Sequence, residues 1–146
     1  MIIRLLALQI PIFWETIKFV AKSADEIDEK ELQPYCNELL QALLSDKAQC
    51  FVILDEKRML TAMAISRVLG NKITGQKYLY IQCLYGFQVI DDSKWIEGFD
   101  LMRRFAESEG CSYVSFDSRN SRVWDIGRVL GCQEARRTFT LKLGGV

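Results

Sequence analysis

The spacing of apolar residues changes several times along the chain, and each change marks an element. Ile2 to Ile10 is an apolar run stopped by Pro11, which predicts a first strand. Phe13, Ile17 and Val20 then recur at helical spacing, predicting a short helix to about Ala21. Ser23 to Glu31 is polar and acidic, and Pro34 is the expected start of a second helix. Its stripe is Cys36, Leu39, Leu40, Leu43 and Leu44, ended by Asp46 and Lys47. From Gln49 the period shortens. Cys50 to Leu54 and Met59 to Val68 read as two strands of a hairpin turned by Asp55 to Arg58. A polar loop with Gly70 and Gly75 leads to Tyr78 to Phe87, apolar on both faces and so expected to lie centrally and be covered twice. Asp92 or Ser93 is the expected cap of a third helix with the stripe Trp95, Phe99, Met102 and Ala106, closed by Gly110. Tyr113 to Phe116 is a short strand. Asn120 or Ser121 caps a fourth helix carrying Val123, Ile126 and Leu130, with Gly131 as its stop. Thr138 to Leu143 alternates, with Phe139, Leu141 and Leu143 on one face, and predicts a last strand.

The order β-α-α-β-β-β-α-β-α-β, without internal repeat or linker, predicts one α/β domain over residues 1–146. Hairpin connections come first and strand–helix–strand connections last. The sheet is therefore expected to be mixed: antiparallel at first, then parallel around the unit from Tyr78 to Phe116. Nineteen basic residues balance nineteen acidic ones. That balance removes the general attraction to nucleic acid or anionic lipid and weakens repulsion between copies. No apolar run approaches the roughly 20 residues needed to cross a bilayer. The start carries one Arg, a short apolar stretch and no small-residue cleavage site, so a cytoplasmic chain with no membrane partner is expected. Histidine is absent, which excludes Ser–His and Cys–His nucleophile pairs and every His-containing metal site. Cys36, Cys50, Cys83, Cys111 and Cys132 form no CxxC pair and sit among apolar residues, so they read as reduced core thiols, with no metal expected.

This element order, together with Asn120, Val123, Ile126, Gly127, Gly131 and Cys132, resembles the GCN5-related N-acetyltransferase (GNAT) superfamily. Members commonly carry Asn-x-x-Ala-x-x-Phe-Tyr-x-x-x-Gly-Phe at that place. The resemblance implies a mostly antiparallel sheet of about six strands with a parallel central pair and helices on both faces. It also implies acetyl transfer from acetyl-CoA to an amine, the pantetheine arm lying where two strands splay. In the family a loop of the form Arg/Gln-x-x-Gly-x-Gly/Ala wraps the diphosphate, where main-chain N–H groups and the helix dipole favour an anion. The aligned text is Ile90, Asp91, Asp92, Ser93, Lys94 and Trp95, which has no glycine. Two carboxylates and an indole are expected to impair binding there, with Ser93 and Lys94 left as a hydroxyl and a cation. The family's tyrosine acid aligns with Gly127. Tyr78 to Phe87 holds no carboxylate, and its polar groups are Tyr80, Gln82 and Tyr85.

Three ordinary parts of the machinery are thus missing together. The favoured expectation is a degenerate GNAT-fold protein that acts by binding protein, with no cofactor. Its style resembles small diverged GNAT-like chains of phages and prophages, some of them virion or assembly components, so a virion-associated place is the other expectation. Self-association or a protein partner is expected through Arg119, Arg122, Arg128, Arg136 and Arg137, which crowd the final third. No basic stripe with interleaved aromatics speaks for nucleic acid. Core packing is the favoured reading of both Trp95 and Trp124, with a partly outward Trp124 as the second reading. The alternative is an acyl-CoA-dependent N-acyltransferase with an atypical phosphate loop. It would bind acetyl-CoA through Tyr85, Phe87, Ser93, Lys94 and Asn120, with Tyr85 as the catalytic candidate.

Overall fold

The chain, seen in a computed structural model that describes residues 1–25 and 27–144, hydrogen-bonds its strands in sequence order across one sheet. The strands are β1 (Ile2–Arg4), β2 (Ala48–Leu54), β3 (Leu60–Gly70), β4 (Lys77–Gly86) and β5 (Tyr113–Phe116). Every neighbouring pair is antiparallel except β4 and β5, which run parallel as the strand–helix–strand connection requires. The helices are α1 (Ile10–Asp25), α2 (Glu29–Leu44), α3 (Asp92–Ser108) and α4 (Ser121–Val129).

Alternation divides the core into two layers. Cys50, Val52, Met63 and Ile65 pack with Ile17, Val20, Leu39 and Leu43 of α1 and α2. Phe51, Ala64, Leu79 and Ile81 face the other way, against Met102 and Ala106 of α3. Covered on both faces, β2 is buried at every position from Ala48 to Ile53.

β4 too is covered on both faces, and a bulge decides which of its residues meet which layer. Ile65 faces Cys83 and Ser66 faces Ile81, so Gln82 is an extra residue in the ladder. This bulge shifts the phase of the strand. Leu79 and Ile81 lie on the α3 side, whereas Cys83 and Tyr85 lie on the α1 and α2 side.

Five expectations are corrected. The first strand stops at Arg4, because the Leu6 N–H is captured by the Gln9 side chain at 2.8 Å and the chain coils into a 3-10 turn, Ala7–Gln9. Pro11 then sits in the first turn of α1, where its missing N–H costs nothing, and that helix runs on to Asp25. The second helix starts at Glu29 and carries Pro34 inside it, since Glu29 and Glu31 suit its N-terminus electrostatically. The third helix takes Asp91, not Asp92 or Ser93, at its N-cap, and no side chain caps it. Thr138 to Leu143 enters no ladder, so five strands pair where about six were expected. Asn120 does cap α4, its side chain accepting from the Arg122 N–H at 2.9 Å.

Candidate active site

The parallel pairing of β4 with β5 ends at Ile81 and Phe116, yet β4 continues to Gly86. Beyond Ile81 that flank of β4 has no neighbouring strand. The Phe87 N–H donates to the Thr61 carbonyl on β3 at 2.9 Å. Strand alternation therefore turns the main-chain groups of Leu84 and Gly86 the other way, into the gap beside β5. A gap with free main-chain donors and acceptors can hold an extended amide-bearing ligand as a further strand would be held.

The N-terminus of α3 stands at the end of this gap. The N–H groups of Lys94 and Trp95 both reach the Asp91 carbonyl, at 2.9 and 3.3 Å. Those of Asp92 and Ser93 have no protein acceptor among the described residues. They form the positive end of a 17-residue helix. The sequence placed Trp95 in the path of a phosphate here, and the structure corrects that. The indole is 8% exposed and packs inward on Ile53 and Ala62. The ring lies against Gly86, where an added Cβ would stand in ordinary contact at 3.4 Å. The turn is open sterically. The carboxylates of Asp91 and Asp92 remain at its surface with Ser93 and Lys94. Lys94 pairs loosely with Glu97 at 3.4 Å.

Gly127 is buried on the face of α4 that meets β5, where a Cβ would stand 3.1 Å from Cζ of Phe116. A side chain at position 127 would thus meet the Phe116 ring. On the opposite face of the sheet Tyr85 stacks edge to face between Phe19 (5.5 Å) and Phe87 (4.9 Å). Its hydroxyl makes no hydrogen bond among the described residues, while Phe19 and Phe87 are partly exposed.

Next along β4, the bulge residue Gln82 donates to the Tyr35 hydroxyl at 2.6 Å and accepts from Arg67 Nε at 2.8 Å. Arg67 forks onto Glu38 at 2.7 and 2.6 Å, and that guanidinium holds the Glu38 carboxyl below the usual carboxylate range. Sequence reasoning missed this network. Its signal was Arg67, the sole charge in an otherwise apolar strand run.

The structure brings Tyr85 and Phe87 together at the end of β4 and sets Ser93 and Lys94 in the turn that follows. Asn120 is spent on its own helix. Arg128 pairs with Asp125 at 2.7 Å and Arg137 with Glu134 at 3.0 Å, each three residues away. Arg119 and Arg122 flank the start of α4, and Arg136 lies exposed in the segment after it. Trp124 is half exposed, which corrects its favoured placement in the core, and its ring N–H donates to the Ser118 carbonyl at 2.6 Å. The thiols of Cys36, Cys50 and Cys83 are buried, and desolvation pushes Cys50 up to about 12. No cluster of metal-ligating side chains occurs among the described residues, and no helix there is long and apolar enough to cross a membrane.

No protein-family profile and no curated protein sequence matches the chain. Solved structures do. A probable acetyltransferase superposes over 100% of this chain and 99% of its own, with a TM-score of 0.74 at 9% identity. An aminoglycoside 6'-N-acetyltransferase from Acinetobacter baumannii gives 0.74 at 12% identity, covering 99% and 97%. A ribosomal-protein-alanine N-acetyltransferase from Brucella melitensis gives 0.68 at 14%, covering 98% and 99%. The chain has the fold of the GCN5-related N-acetyltransferases.

Proposed function

We propose that the chain is an acyl-CoA-dependent N-acyltransferase that relies on main-chain and aromatic groups where other proteins of this fold use side-chain acids. The observation that carries the reading is the unpaired stretch of β4 opening onto an uncapped, sterically clear helix N-terminus. Another solved structure of this fold, an aminoglycoside acetyltransferase, is in complex with a bisubstrate CoA analogue, which supports the same ligand class here.

An acyl-CoA supplies a thioester carbonyl open to attack by an amine. Leu84 and Gly86 would pair with the amides of its arm, and the N–H groups of Asp92 and Ser93 would meet its diphosphate, aided by the Ser93 hydroxyl and Lys94. In this reading the Phe19, Tyr85 and Phe87 cluster gives the acceptor side an aromatic wall, and the Tyr85 hydroxyl hydrogen-bonds the incoming amine. With Gly127 sealed by Phe116, α4 gives no acid, so alignment of the reactants supplies most of the acceleration.

That same seal, with the carboxylates at the phosphate turn, favours a second reading: a chain of this fold that has lost transfer and works by binding protein, as virion or assembly components do. Thermal unfolding with acetyl-CoA separates the two. Ligand at a hundred times its dissociation constant stabilises by about 2.7 kcal/mol, which raises the midpoint by several degrees. The expected result is such a rise, lost in Ser93→Asp, together with acylation of amines that slows in Tyr85→Phe. A midpoint unmoved by saturating acetyl-CoA leaves the binding reading.

A further inference from the structure

Beneath the point where β4 and β5 part lies a cavity of about 40 Å³. Ile81 and Phe116 end the parallel ladder opposite each other, and both line it. Leu84, the next β4 side chain on the α3 side, lines it too, and α3 closes it from beyond. Every described residue around it is apolar, and the cavity is partly open. A water there finds almost no partners, and the lining forfeits contacts as long as the space is unfilled.

Small residues leave this space open. Ala62 and Ala64 border it from β3, and Gly98 borders it from within α3. Glycine is unfavourable inside a helix unless a close approach demands it. At Gly98 none does, for an added Cβ would stand in ordinary contact with Ile53 at 3.4 Å. Gly127 differs, since a Cβ there would crowd the Phe116 ring at 3.1 Å. α3 thus keeps a glycine that its packing does not need, over a void that adjoins the gap in the sheet.

We infer that this cavity receives the alkyl tail of the acyl group, so that the chain transfers a short uncharged acyl group longer than acetyl. The inference rests on the acyl-CoA reading above. With Gly86 and Leu84 paired to the amides of the coenzyme's arm, the thioester falls next along β4, at Ile81 and the fork. A tail turning from there to the α3 side enters the cavity. One water-sized sphere needs about 10–15 Å³ of such volume, so a cavity of about 40 Å³ takes about three heavy atoms. That is the tail of a propionyl or butyryl group. A charged tail is refused, because nothing in the lining pairs a charge. In the transfer the amine nitrogen bonds to the acyl carbon, the C–S bond breaks, and the amine's proton passes to the coenzyme sulfur. The tail stays seated throughout.

Calorimetry of the full chain with free CoA and with its acetyl, propionyl, butyryl, hexanoyl and succinyl thioesters tests this. Affinity should rise about fourfold per methylene from acetyl to butyryl, as full burial of each methylene provides. It should stop rising at hexanoyl. Succinyl, as long as butyryl but charged, should bind no better than acetyl. Gly98→Ala shrinks the cavity. It should raise the unfolding temperature of the free chain and lower the butyryl-to-acetyl affinity ratio by about fourfold. Thioesters that all bind with one affinity overturn the proposal and leave the transferase reading standing. So does a Gly98→Ala chain that is more stable yet keeps the wild-type ratio, since the cavity is then a packing void alone. If neither free CoA nor any thioester binds, the acyl-CoA reading falls and the proposal with it.

Discussion

Gly127 shows how one residue decides what chemistry a helix can offer. Glycine inside a helix costs about 1 kcal/mol relative to alanine. That cost is accepted here because α4 comes close enough to β5 for a Cβ to stand 3.1 Å from the Phe116 ring. Phe116 also borders a small apolar cavity shared with Ile81 and Trp95. A methyl can push it into that space, so Gly127→Ala should change stability by less than about 1 kcal/mol, helix propensity offsetting the displaced ring. A phenol cannot be absorbed this way. Gly127→Tyr, which would write the family's acid back into the sequence, should instead cost about 1–3 kcal/mol by overpacking and leave transfer no faster. Urea unfolding with an unchanged slope measures both. A stable, faster Gly127→Tyr enzyme would show that Phe116 yields and that the place for an acid is open.

Among the elements, α2 is tied across the sheet to β3 and β4 by Glu38, Arg67, Gln82 and Tyr35, and this gives stability a pH dependence. Hydrogen bonding from Arg67 depresses the Glu38 carboxyl in the folded state, with burial opposing it in part. A depressed carboxyl contributes stability that is present above its unfolded value and lost as pH falls through the folded one. Glu38 is largely exposed, so the increment is about 1 kcal/mol at most. The wild-type chain should therefore lose more stability than Glu38→Gln on acidification through the carboxylate range, and the two should show parallel profiles above it. The same elements show what a sequence can and cannot carry. β5 and the stripe of α3 were legible because local period and local capping decide them. The bulge was not. The coverage of β4 on both faces was legible from its apolar residues, but which of them meet which layer was not, because Gln82 slips the register against Ile65 and Ser66. The end of β1 depends on the Gln9 side chain finding the Leu6 N–H, and Thr138 to Leu143 enters no ladder despite its alternation. Trp95 was read in two ways. Its helical spacing put it on the buried stripe, and alignment to the family's phosphate loop put it in the ligand's path. Packing on Ile53 and Ala62 follows the spacing.

At the scale of the whole molecule, charge replaces shape as the constraint on the proposed site. The chain as a whole is electrically balanced, with nineteen residues of each sign, so a nucleotide is neither drawn in nor turned away at long range. Everything then depends on the turn entering α3, where free N–H groups and Lys94 attract a diphosphate and two carboxylates oppose it. Each like-charge contact near the surface costs on the order of 1 kcal/mol, or about fivefold in affinity. Asp91→Asn and Asp92→Asn should each tighten acetyl-CoA by several fold, and the pair should combine less than additively because they face one diphosphate. Asp92 also favours the helix dipole from the first turn of α3, so its replacement should lower domain stability by a few tenths of a kcal/mol while affinity rises. Salt gives a second measure of the same balance. Screening weakens the repulsion along with the attraction, so calorimetric affinity of the wild-type chain should change little between low and physiological salt and that of the double variant should fall. If both substitutions leave affinity untouched in a chain that does bind acetyl-CoA, the diphosphate lies away from α3 and the ligand crosses the sheet by another route.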